Sequence, residues 1–100
     1  MIWTVEKIKT ELSKFAVKHN IEKIILFGSR ARGDNGERSD IDIAVSGGDF
    51  LHFYRDIQED FPSLLSFDVV NLDKKISLEL KNEIKRDGVV LYEKIYEAIS

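Results

Sequence analysis

Residues 24–46 read Ile-Ile-Leu-Phe-Gly-Ser-Arg-Ala-Arg-Gly-Asp-Asn-Gly-Glu-Arg-Ser-Asp-Ile-Asp-Ile-Ala-Val-Ser. The stretch from Glu22 to Phe27, with its apolar run from Ile24, reads as a buried strand and stops at Gly28-Ser29. Further along, Ile41, Ile43 and Val45 alternate with Asp40, Asp42 and Ala44, the period of two that belongs to a strand. Three glycines and dense charge lie between, the signature of a turn, a short helix and a loop. The stretch therefore predicts two strands joined by a glycine-rich connection, with a pair of aspartates opening the second strand.

Working outward, Val5, Ile8, Leu12, Phe15 and Ala16 recur at helical spacing, with Thr4 as cap and Asn20 as terminator. After Ser46-Gly47-Gly48, Asp49 can cap a helix carrying Phe50, Phe53, Tyr54, Ile57 and Phe61, which Pro62 stops. Ser66 to Leu72 reads as a third strand, with Phe67 and Val69 on the face opposite Asp68 and Val70. Ser77 caps a helix with Leu80 and Ile84 on one side, and Gly88 follows its last turn. Val89 to Tyr92 is a fourth strand, and the tail to Ser100 is expected to be helical. Helices and strands in alternation give an α/β or α+β layer protein.

The chain has 100 residues, one domain's worth, with 43% hydrophobic and 33% charged residues, an ordinary globular balance. There is no cysteine, which excludes disulfide scaffolds, thiolate zinc sites and cysteine nucleophiles, and two histidines cannot build a three-histidine metal site. Apolar runs of four residues are too short for a membrane span, and Met1 to Lys7 do not read as a signal peptide. The net charge of −3 is unevenly spread: residues 1–33 carry +4, residues 34–73 carry −8 and residues 74–100 carry +1. That balance lacks the basic excess of broad duplex binders, so no direct nucleic-acid binding is expected.

The acidic zone carries the chemistry. Asp40 and Asp42, two apart on a strand, project from one face. Hard oxygen ligands of this kind suit Mg²⁺, with Mn²⁺ as an alternative, in company with substrate phosphates. Asp68 lies in an apolar strand, where a charge needs a reason. If that strand neighbours the second one, Asp68 completes a cluster of three. Two like charges about 4 Å apart repel by roughly 4 kcal/mol at an effective dielectric near 20. A divalent ion reverses that sign by bridging carboxylate and phosphate oxygens, and two ions are expected with nucleotide bound. Without metal, at least one carboxylate should have a raised pKa. Gly28 lets backbone approach a ligand closely, and Ser29 and the amides at the helix start supply donors. Of the cations Arg30 and Arg32 only one can face phosphate, and the sequence does not say which. The missing Lys-Ser/Thr after Gly33 rejects a P-loop.

Gly28 and Ser29, a ten-residue gap and then Asp40-Ile41-Asp42 resemble the motif of the DNA polymerase beta-like nucleotidyltransferase superfamily, and more closely its minimal nucleotidyltransferase (MNT) proteins. Asp68, in Phe67-Asp68-Val69-Val70, matches the third family carboxylate, and the Gly88-Val89-Val90-Leu91-Tyr92 ending is common among these proteins. The resemblance covers residues 21–92. It implies an α+β fold, a mixed β-sheet flanked by helices, with residues 1–100 as a single minimal nucleotidyltransferase domain. It also implies transfer of AMP, or another nucleoside monophosphate, from ATP or another nucleotide triphosphate to an acceptor hydroxyl. Asp40 and Asp42 would hold the metals, Asp68 would share one and help deprotonate the acceptor, and Gly28 and Ser29 would hold the outgoing phosphates. Many MNT proteins are cytoplasmic antitoxins that attach AMP to a tyrosine of a HEPN ribonuclease, so a HEPN partner is implied. A catalytically dispensable antitoxin acting by contact alone, and a small-molecule nucleotidyltransferase, are the alternatives.

Other residues have plainer readings. His19 is expected at helix-end carbonyls and His52 on a helix surface. Phe50, Phe53, Ile57 and Phe61 read as core. Trp3, Tyr92, Ile95, Tyr96 and Ile99 could pack at home or form a surface for a partner or a second copy.

Overall fold

The computed structural model describes residues 3–33, 36, 40–63 and 65–95. Helix α1, Val5–Lys18, begins where the Thr4 hydroxyl accepts the Lys7 amide at 3.2 Å, and buries Ile8, Leu12 and Ala16 on one stripe. Asn20 takes the left-handed conformation (φ 59°) that reverses the chain into β1, Lys23–Phe27. A single-turn helix, α2 (Ser29–Arg32), follows, then β2, Ile41–Ser46. Asp49 caps α3, Phe50–Asp60, and Phe61, the residue before Pro62, turns extended to end it. Strand β3, Phe67–Asn71, leads to Ser77, which caps α4, Leu78–Asp87; β4 is Val89–Glu93. The helix expected beyond β4 falls largely on residues 96–100, outside the described residues.

The four strands form one mixed sheet in the order β3-β2-β1-β4. Strand β1 runs antiparallel to both β2 and β4, whereas β2 and β3 are parallel and joined through α3. This is the α+β sheet the resemblance implies. Register sorts the side chains into rows across the sheet. Leu26, Ile43 and Val69 lie opposite one another on the face covered by α1 and α3. There they join Ile8, Leu12, Phe53, Ile57 and Phe67 in the main core. Phe61 anchors an aromatic group there, with Trp3 at 5.1 Å and Phe67 at 4.7 Å between ring centroids. Trp3 and Tyr92 pack against this core, while Ile95 is exposed.

The other face is built differently. The row Ile25, Ala44, Val70 packs under α4 through Leu80 and Ile84. The next row is Phe27, Asp42, Asp68. Apolar packing thus gives way to acid within one step along the strands. Gly88 lets α4 close on this face: its backbone is extended, but a Cβ would collide with the Ile84 carbonyl and press on the Ile25 side chain. Among the described residues no helix is long and apolar enough to cross a membrane.

Candidate active site

Asp42 and Asp68 are register partners on neighbouring parallel strands, so their side chains leave the same face at strand spacing, about 4.8 Å. The neighbouring strand is the condition the sequence left open for Asp68. Strand β2 lies inside the sheet, so Asp42 is no edge-strand charge. Asp40 stands exposed just before β2, and Asp68 is also exposed, while Asp42 is half-buried. Among the described residues none of the three enters an ion pair, and no three His, Cys, Asp or Glu side chains are gathered closely enough to cage a metal by themselves.

Burial pushes the Asp42 carboxyl above its ordinary pKa, and the charges of Asp68, Glu83 and Asp40 push it further; Arg32 opposes them. The direction is the one expected where like charges crowd a half-buried carboxylate, although burial is the larger cause. The donor set fits a magnesium-like ion: hard oxygens, two in register, with charges that repel one another until a cation intervenes. Magnesium commonly takes only one or two carboxylates and completes its shell from phosphate and water.

The Gly28-Ser29 turn abuts this pair. Phe27 lies opposite Asp42, and Gly28 leaves the strand with φ 76°, where a Cβ would collide with the Asp42 carboxylate. Only glycine combines that backbone with that closeness. The Ala31 and Arg32 amides donate to the Gly28 carbonyl and the Gly33 amide to that of Ser29, which closes the short helix.

The two arginines part company. Arg30 is buried, and its Nη1 donates to the Trp3 carbonyl at 3.5 Å, toward α1. Arg32 donates from Nη1 to Asp87 Oδ2 at 3.0 Å, toward α4, and its charge reaches Asp42. Arg32 is therefore the cation on the carboxylate side. Sequence reasoning missed Glu83 and Asp87. Their signal was present: they lie one turn apart and flank Ile84, whose side chain packs on the sheet. His19 also departs from expectation: its Nε2 meets Asp56 Oδ2 at 2.6 Å rather than helix-end carbonyls, because α3 brings a carboxylate to it. His52 bonds Asp49 at the surface.

The family model described as Polymerase beta, Nucleotidyltransferase matches residues 6–97. A Methanocaldococcus jannaschii protein named "Putative protein adenylyltransferase MJ0604" is 36% identical over 88 residues, covering 79% of this chain and 86% of that protein. Among solved structures, a toxin-antitoxin complex with AMP-PNP matches with a TM-score of 0.68 at 23% identity, over 86% of this chain and 73% of that one. A tri-AMPylated Shewanella oneidensis HEPN toxin in complex with its MNT antitoxin matches at 0.63 and 20%, over 89% and 73%. A Sulfolobus solfataricus protein described as "a putative nucleotidyltransferase" matches at 0.57 and 22%, over 91% and 81%. At these identities the structural likeness is one of fold.

Proposed function

The chain belongs to the polymerase beta nucleotidyltransferase family, and from that premise we propose that it moves AMP from ATP to a tyrosine hydroxyl of a HEPN-family toxin in the cytoplasm, as the antitoxin of the pair. The observation that carries the reading is the register pairing of Asp42 with Asp68 beside Gly28. The acceptor oxygen attacks the α-phosphorus, the bond from that phosphorus to the bridging oxygen of the β-phosphate breaks, and pyrophosphate departs. The hydroxyl proton passes to the Asp68 carboxylate, which solvent can relieve of it because the side chain is exposed. Gly28 and Ser29 hold the departing phosphates, with Arg32 on the same side. Asp40, Asp42 and Asp68 would hold magnesium or manganese, two ions once nucleotide is bound, and the metal would supply neutralisation of the negative charge gathered there. The rest is positioning, which phosphoryl transfer chiefly needs.

A protein acceptor is favoured over a small molecule by the relative named for protein adenylylation and by the neighbour bound to an AMPylated toxin. Repelling carboxylates held together are also a poor way to build a surface that acts by contact alone. The test is incubation with ATP, Mg²⁺ and the HEPN partner, followed by mass spectrometry of that partner. AMP on a tyrosine supports the reading. An unmodified partner that is still neutralised, by wild type and by Asp40→Asn/Asp42→Asn alike, replaces it with inhibition by contact.

A further inference from the structure

Asp87 occupies an unfavourable place. It is the last helical residue of α4, where the helix dipole is negative, and its side chain is only 8% exposed. Two guanidinium groups hold it there: Arg32 from α2 at 3.0 Å, and its own neighbour Arg86 through Nη2 at 2.9 Å and Nε at 3.1 Å. Together they keep its carboxyl below the ordinary value, with Arg86 the larger cause. The end of α4 is pressed onto β1 at Gly88, so Asp87 is presented from a fixed element. Arg32 closes the short helix that starts at Ser29, and its charge is felt at Asp42. Arg30, on the same helix, is turned the other way.

We propose that Asp87 is a positioning residue that fixes the Arg32 guanidinium beside the Gly28-Ser29 turn, where the phosphate tail of a nucleoside triphosphate is received. An arginine on a one-turn helix loses rotamer freedom when it binds phosphate, and a pre-formed ion pair spends that entropy before the ligand arrives. The carboxylate does not cancel the cation it orients, because Arg86 shares it. The trio Arg32, Asp87 and Arg86 carries a net charge of +1. The inference rests on the nucleotide reading above and adds to it the residue that makes Arg32 effective.

The experiment is titration calorimetry with ATP and with tripolyphosphate in Mg²⁺, alongside steady-state transfer kinetics. Arg32→Ala weakens both ligands by about tenfold, and Asp87→Asn weakens both by about fivefold. In the Arg32→Ala background, Asp87→Asn adds nothing. Asp87→Asn raises KM for ATP while kcat changes less than about twofold, and Asp87→Glu restores most of the affinity. Unchanged or tighter ATP binding in Asp87→Asn, or an equal loss with Arg32 absent, overturns the proposal. Arg86→Ala, at an exposed side chain outside the core, is a second variant should Asp87→Asn fail to fold. It leaves Asp87 to Arg32 alone and weakens ATP about twofold, and unchanged affinity there counts against the idea. Wild-type protein that binds no ATP removes the nucleotide reading itself. ATP binding that these variants leave intact removes only the role of Asp87.

Discussion

Ile43 and Asp42 are neighbours in the chain and face opposite sides of the same sheet. Ile43 sits in the row Leu26, Ile43, Val69, completely buried under α1 and α3. Asp42 sits in the row Phe27, Asp42, Asp68, under the edge of a much smaller core. Among the described residues the first face joins fourteen buried side chains in one cluster and the second joins three. At about 1.5–3 kcal/mol for each large side chain buried, the α1/α3 face dominates stability. The α4 face can therefore hold repelling charges without the fold failing. Strand alternation makes this division possible, since a step of one residue exchanges one face for the other.

The division predicts that the two neighbours fail in different ways. Ile43→Ala removes packing at a site that cannot collapse and lowers unfolding free energy by about 2–5 kcal/mol, read from urea melts. Asp42→Asn leaves the melt intact or raises it, while adenylyl transfer falls by about 10²–10³-fold. A large stability loss in Asp42→Asn would mean that the carboxylate supports the fold after all.

Gly28 lies where the two demands meet. Gly28→Ala forces a left-handed residue against the Asp42 carboxylate, so it lowers both stability, by about 1–3 kcal/mol, and transfer. Gly33→Ala is the matched control. Its φ of 83° carries the same backbone strain, but a Cβ there meets nothing within 4 Å. It should cost about 1–2 kcal/mol and leave the chemistry alone. Equal loss of transfer in both variants would argue that turn conformation, rather than closeness to Asp42, is what matters.

The readable parts of this molecule were local. Thr4, Asp49 and Ser77 were legible as caps because each bonds an amide three residues on. The alternation of Ile41, Ile43 and Val45 made β2 legible, and with it the place of Asp42 on the face opposite Ile43. The register that sets Asp68 against Asp42 was not, since it depends on how β3 docks beside β2 after the crossover through α3. The directions that Arg30 and Arg32 take were equally hidden. Arg30 reaches the Trp3 carbonyl and Arg32 reaches Asp87, both remote in sequence. Asp87 itself reads as an ordinary charge at a helix end until the fold brings Arg32 to it, just as His19 reads as a helix-end residue until α3 supplies Asp56.

The smallest effect compares two carboxylates, Asp42 in the acidic row and Asp56 on α3, which accepts hydrogen bonds from His19 and Lys18. Burial raises the pKa of Asp42 above 3.8, so the folded state keeps that proton longer than the unfolded chain. Stability from this group falls as pH rises from 3.8 through the raised value, and the deficit persists at neutral pH. The hydrogen bonds from His19 and Lys18 lower the pKa of Asp56, so its contribution is present above 3.8 and is lost as pH falls through the lowered value. In metal-free protein at pH 7, Asp42→Asn should therefore melt slightly above wild type and Asp56→Asn slightly below it. Both differences should shrink in acid. Adding Mg²⁺ with ATP should reverse only the first, because wild type then gains ligand stabilisation that Asp42→Asn cannot match. If Asp42→Asn keeps its advantage in the presence of ligand, the acidic row is not where the nucleotide and its cation bind.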